Sequence, residues 1–207
     1  MISTSDIVGI AGIALGLVLT PGPNMIYLVS RSITQGRRAG LVSLLGVAAG
    51  FLAYLLAATA GMATLFAMVP LVYTSVKIIG AVYLLWLAWK ALRPNGESAF
   101  APKELPADPP MKLFRMGLIT NLLNPKIAVL YVSLLPQFVV PARGAVGTQI
   151  LELGLIQISI ALTVNCLIVV TAGSVAAFLG DRPLWLRAQR YLMGTVLIGL
   201  AARIMTD

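Results

Sequence analysis

The chain has 207 residues, 59% of them hydrophobic and only 11% charged, with a mean hydropathy of +0.94. That balance excludes an ordinary soluble domain and reads as an integral membrane protein. A single cysteine, Cys166, and no histidine exclude an internal disulfide, a Cys/His zinc site and a dithiol redox carrier. The net charge of +8 suggests nucleic acid at first sight, but the basic residues fall in alternate gaps between apolar runs, which reads as membrane topology.

The length suits about six helical spans of roughly 20 residues with short loops. No Lys or Arg precedes the first apolar run and no small-residue cleavage site follows it cleanly, so it is kept as the first span. Span one runs from Ile7 to Ser30, and span two from Ala39 to Gly61. A short link through Pro70 leads to span three, Leu71 to Leu92. Residues 93–111 alternate five prolines with Glu97, Lys103, Glu104 and Asp108, and read as a solvated, flexible linker. Span four covers Leu113 to Val139, span five Gln149 to Leu179, and span six Leu186 to Met205. The gaps one–two, three–four and five–six carry eleven basic residues, against Arg143 and Arg203 on the other side. This bias places the linker in the cytoplasm and both termini outside.

The halves look alike. Three spans each means that repeat two (112–207) is inverted relative to repeat one (1–92) across the linker. Lys77 and Lys90 frame Gly80-Ala81-Val82 much as Arg190 and Arg203 frame Gly194-Thr195-Val196, and both basic pairs are 13 residues apart. Span one is interrupted by Thr20-Pro21-Gly22-Pro23-Asn24, and span four by Asn121-Leu122-Leu123-Asn124-Pro125-Lys126. The fold class expected is therefore all-α, with six transmembrane helices in two inverted three-helix repeats and helices 1 and 4 broken by proline. In such plans the substrate site lies at the repeat interface near mid-membrane.

The breaks supply candidate chemistry. Proline has no N–H, so Pro21 and Pro23 leave the carbonyls of Leu17 and Leu19 without helical partners. In hydrocarbon such groups persist only where protein or a water-filled cavity satisfies them. With the Asn24 side chain they suit an ammonium group. Asn124 before Pro125 is a helix start, since Asn caps and Pro fits the first position. Lys126 lies 11 residues past Arg115, roughly 16 Å along a helix. A lysine at that depth is a functional candidate, and at a helix N-terminus it suits a carboxylate. The two poles together suit a zwitterion. The plainer reading is two proline kinks with a lysine in a water-filled vestibule. Lys77, near a span end, reads as a snorkelling residue.

Span two carries Ser43, Gly46, Gly50, Ala53, Ala57 and Gly61 in one small-residue stripe, which reads first as helix packing; a moving contact or a homodimer seam stays open. Gln157, Ala161 and Asn165 share a face of span five, as inter-helix glue or pore lining. No carboxylate sits in a span centre, which argues against a divalent-metal transporter and against a core carboxylate proton relay. Any proton coupling is left to Lys126, a terminal carboxylate or the substrate.

The blocks Thr20-Pro21-Gly22-Pro23-Asn24, Gly36-Arg37-Arg38-Ala39-Gly40, Gly80-Ala81-Val82-Tyr83-Leu84, Phe114-Arg115-Met116-Gly117 and Asn121 through Lys126, continuing to Leu135-Pro136-Gln137-Phe138, resemble the LysE/RhtB family of bacterial amino-acid exporters. The resemblance covers nearly the whole chain. It implies a six-helix inner-membrane protein that exports an amino acid or close derivative using the proton gradient, with no cofactor and no nucleic-acid partner. Relatives carry a polar or acidic residue just after the second glycine of span two, where this chain has Phe51; the departure points to a less polar substrate. An intramembrane enzyme would need a nucleophile and base, for which Lys126 and Ser133 are the nearest pair. A non-transporting scaffold packed through the span-two stripe is the remaining alternative. The site residues expected for transport are Thr20, Pro21, Gly22, Pro23, Asn24, Asn121, Asn124, Pro125, Lys126 and Asn165.

Overall fold

Ser3 starts the first helix. Its hydroxyl accepts from the Asp6 amide while Asp6 Oδ2 accepts from the Ser3 amide at 2.8 Å, a reciprocal cap that sets the boundary three residues before the expected one. The computed structural model describes residues 2–20, 22–68 and 107–180, with parts of 78–92 and 191–205. The expectations for Pro21, Lys77, Lys90, Arg190, Arg203 and linker residues 93–106, and for most of spans three and six, lie outside the described residues.

Among the described residues the chain is all helical: α1 (Thr4–Leu19), α2 (Pro23–Gln35), α3 (Arg37–Met68), α4 (Pro110–Leu122), α5 (Pro125–Val129) and α6 (Val146–Gly180). Between α5 and α6 lie a wide π turn, Leu130–Leu134, and 3-10 turns at Leu135–Phe138 and Pro141–Arg143. The π turn runs directly into Pro136, whose ring and missing N–H prevent a regular helix from continuing. Gly36, at φ +86°, joins α2 to α3 in one residue, a conformation that glycine adopts without strain.

Arg37–Gly61 and Val146–Ser174 are each long and apolar enough to cross a membrane. The pairs α1 with α2 and Pro110–Leu122 with Pro125–Phe138 pass the same test as two bent spans. Val8, Leu15, Leu45, Leu52, Leu56, Leu155 and Leu167 are exposed, as lipid-facing residues are, while Ile10, Ile13, Ala14 and Leu17 form the buried stripe of α1. Ala81, Leu84, Ala88, Leu197 and Ala201 are buried in the same core. The chain is thus a multi-pass helical membrane protein.

The span-two stripe is a packing surface. A side chain at Gly46 would collide with the Phe114 carbonyl, one at Gly117 with the Ser43 carbonyl, and one at Gly50 would stand 2.7 Å from Asn121 Cβ. Hence α3 and α4 cross at backbone contact over Ser43 to Gly50.

The end of the linker departs from the solvated reading. The Asp108 side chain is only 5% exposed and takes Arg31 at 2.5 Å and Lys112 at 2.6 Å, while the Gln35 side chain bonds both its carboxylate and its amide. Pro110 and Met111 already belong to α4. At the opposite end of the helices, Arg143 pairs with Asp6 at 2.6 Å, and Gln149 holds Val140 and Gly144.

The hydrogen bonds from Lys112 and Gln35, then the Arg31 charge, hold the Asp108 carboxyl below its ordinary 3.8. A lowered folded-state pKa contributes stability above the unfolded value, and that contribution disappears as pH falls through the folded value. Asp108→Asn is therefore expected to lower the melting temperature in detergent at neutral pH. The difference from wild type closes as the pH is taken below 3.8, read from paired thermal scans.

Candidate functional site

Both expected breaks are present. α1 ends at Leu19; Thr20 and Gly22 are extended and α2 restarts at Pro23, with the two axes 53° apart. Thr20 Oγ1 returns to the Gly16 carbonyl at 2.6 Å, which closes the last turn of α1. α4 gives way at Leu123, Asn124 is extended, and the chain restarts at Pro125 with a 49° bend. Asn124 caps as expected: its Oδ1 accepts from the Lys126 amide at 3.1 Å.

The Lys126 side chain reaches across to the other break. Its ammonium donates to the Leu17 carbonyl at 2.7 Å and to the Thr20 carbonyl at 2.8 Å, and the residue is only 5% exposed. Two carbonyls left open where α1 stops thus receive an ammonium from the opposite half of the chain. This corrects two details of the sequence reading. The second carbonyl is that of Thr20 rather than Leu19, because α1 ends before Thr20 and turns its carbonyl inward. Lys126 is not free to meet a carboxylate in this state, because its charge is engaged by those carbonyls.

Gly22 makes the crossing fit: a Cβ there would lie 3.0 Å from Lys126 Nζ and 3.3 Å from its Cε. Gly22 is itself extended (φ −169°), so its role is room rather than backbone freedom.

A narrow, partly open cavity lies beside this crossing. Asn24, Asn124, Lys126, Gln157 and Asn165 give it a polar side. Ala14, Leu17, Met25, Phe51, Ile127 and Leu130 are among its apolar lining residues. Asn24 Oδ1 and Asn124 Nδ2 are buried without hydrogen-bond partners among the described residues, an acceptor from one break and a donor from the other. Buried polar atoms of this kind are uncommon and call for a partner. Asn165 bonds back to Ala161 of its own helix at 2.8 Å, and Gln157 Oε1 accepts from the Tyr131 hydroxyl at 2.9 Å. Asn121 is fully buried against Gly50, with both side-chain polar atoms unpartnered among the described residues, but is not among the lining residues. Pro23 is exposed and Thr20 buried. Phe51 and Gln157 also line the cavity, although neither is among the site residues expected from sequence; the break from the polar pattern at Phe51 and the face that Gln157 shares with Asn165 are the signals the sequence offers.

No group of three or more His, Cys, Asp or Glu side chains that could hold a metal occurs among the described residues.

The family model described as LysE type translocator matches residues 15–207. Among curated proteins, the chain is 28% identical to a leucine efflux protein of Klebsiella pneumoniae, over 93% of this chain and 91% of that protein. It is 29% identical to a leucine efflux protein of Enterobacter sp., over 92% and 90%. No solved structure matches.

Proposed function

Because this chain belongs to the LysE type translocator family, we propose that it exports a neutral apolar amino acid of the leucine type across the bacterial inner membrane. It works by alternating access driven by the proton gradient, on two inverted three-helix repeats, 1–92 and 112–207, joined by the cytoplasmic linker 93–111. The repeats support this reading through two bends of similar size, 53° and 49°, at the matched Pro blocks. The ion pair Asp6–Arg143 at one end and the cluster Arg31, Asp108, Lys112 at the other accord with termini in the periplasm and the linker in the cytoplasm.

The observation that carries the proposal is an unpaired acceptor and an unpaired donor on Asn24 and Asn124, two residues that line one cavity. The substrate's ammonium end belongs at the Leu17 and Thr20 carbonyls with Asn24 Oδ1. Its carboxylate belongs at Asn124 Nδ2, whose orientation is fixed by the bond that Asn124 Oδ1 accepts from Lys126. A zwitterion laid this way satisfies atoms that are otherwise buried alone, and so repays the cost of its own desolvation. The side chain then meets Phe51, Met25, Ile127 and Leu130, which suit a branched aliphatic group. The names of the two relatives point the same way.

Efflux of a panel of preloaded amino acids from cells with and without the protein tests this. Leucine and its neighbours are expected to leave fastest, and Asn24→Ala should slow them at wild-type abundance. Phe51→Asn is expected to lower the ratio of leucine to threonine efflux by about tenfold, since a few methylene contacts in a pocket are worth that much. An unchanged ratio would remove Phe51 from the substrate pocket. Normal efflux from Asn24→Ala would move the site elsewhere.

A further inference from the structure

Among the described residues the cavity holds one titratable side chain, and its charge already occupies the place proposed for the substrate's amino group. Lys126 Nζ donates to Leu17 and Thr20 from within hydrogen-bonding distance of both. Among the described residues no carboxylate lines the cavity to balance a second positive charge. The charged and titratable groups on the elements packed around it, among the described residues, are accounted for elsewhere. On α1, Asp6 pairs with Arg143; on α2, Arg31 pairs with Asp108 and the Tyr27 hydroxyl donates to the Leu113 carbonyl. On α3, Arg37 and Arg38 are exposed and Tyr54 donates to the Leu122 carbonyl; on α4, Lys112 pairs with Asp108 and Arg115 is exposed. Tyr131 donates to Gln157, and on α6 Glu152 is exposed and Cys166 half-buried. Two ammonium groups sharing two carbonyls in a cavity this narrow would repel strongly at low dielectric.

We propose that Lys126 is the proton-carrying group of the transport cycle: its ammonium and the amino group of the substrate compete for the Leu17 and Thr20 carbonyls, and substrate binding expels the Lys126 proton. The step balances. One N–H bond of the ammonium breaks, the electron pair stays on Nζ, and the proton leaves to water; the substrate's N–H groups then fill the two carbonyls. The site holds either a charged Lys126 alone or a neutral Lys126 with a zwitterion. Cycling between those states moves about one proton inward for each amino acid moved outward, without a bound metal ion and without an acidic residue in a span centre. The charged state also ties one helix break to the other, so that the bond broken by the substrate is one that joins the two halves.

The inference rests on the reading of the cavity as an amino-acid site, and the test separates the two. Purified protein in weakly buffered detergent is titrated between about pH 5.5 and 7.5, a range in which leucine stays zwitterionic. The ligands are leucine and 4-methylpentanoate, the same skeleton without its amino group. Binding is read by calorimetry and proton release by an indicator dye. Leucine should release up to about one proton per molecule bound, and 4-methylpentanoate none. The apparent Kd for leucine should weaken about tenfold per unit of acidification wherever Lys126 is charged. Binding of leucine with no proton release, or equal release by both ligands, overturns the assignment of Lys126 and leaves the substrate site standing. If no neutral amino acid binds, the amino-acid reading falls and the inference falls with it. The measurement uses the unaltered chain, so misfolding of a variant cannot imitate any of these results.

Discussion

Lys126→Ala is expected to reduce efflux to background and to lower the stability of the protein at the same time. The substitution removes the ammonium that donates to the Leu17 and Thr20 carbonyls and leaves them no side-chain donor among the described residues. A buried carbonyl left without a donor costs about 1–3 kcal/mol, so the pair together amounts to about 2–6 kcal/mol. It also removes the link between the α1–α2 break and the α4–α5 break, so the geometry of Asn24 and Asn124 across the cavity relaxes. Lys126→Arg separates the two effects. A guanidinium can donate to both carbonyls but is larger and does not release its proton. It should recover much of the melting temperature while transport stays lost. The check is a melting curve in detergent beside efflux normalised to the amount of folded protein. A Lys126→Ala protein with wild-type melting and wild-type efflux would show that the lysine only fills space.

The location of this site was legible from residue types, and its wiring was not. Pro21-Gly22-Pro23 and Asn124-Pro125 announce helix breaks because proline removes a donor and Asn caps the restart; the structure has α1 ending at Leu19 and α5 starting at Pro125. Lys126 stands out by depth alone. What a linear sequence does not carry is the direction of a four-carbon side chain, and hence that it turns to the carbonyls of Leu17 and Thr20, more than 100 residues away. The reading of 93–111 as a solvated linker failed at Asp108 for a related reason. Its composition is that of a loop, but Lys112 one helical turn on and Arg31 from α2 converge on the carboxylate and bury it. Pro136 signals irregularity in span four, yet nothing local chooses a π turn over a kink. The choice lies with tertiary contacts such as Tyr131, which stacks on Tyr54 and bonds Gln157.

Gly46→Val and Gly117→Val are each expected to abolish recovery of folded protein, where Gly50→Ala is expected to leave folded protein but impair transport. At the first two positions the obstacle is a carbonyl of the facing helix, Phe114 for Gly46 and Ser43 for Gly117. Neither can move aside by changing a rotamer, so α3 and α4 must separate along their contact. Overpacking where side chains can adjust already costs about 1–3 kcal/mol, and here the displaced atoms are backbone, so about 3–5 kcal/mol is expected. That is comparable to the net stability of many domains. Gly50 differs because the obstacle is the Asn121 side chain, with Cβ and Oδ1 both 2.7 Å from the added methyl group. Asn121 can yield only by shifting its own turn of α4. Its carbonyl accepts from the Asn124 amide at 3.0 Å, so the shift passes straight into the second helix break. The small-residue stripe of α3 therefore does more than pack a helix pair: it sets the position from which Asn124 and Lys126 reach the cavity. Size-exclusion profiles of the three variants, with efflux measured on any that stay monodisperse, check the ordering. A monodisperse, fully active Gly50→Ala protein would show that the turn at Asn121 moves without disturbing the break behind it.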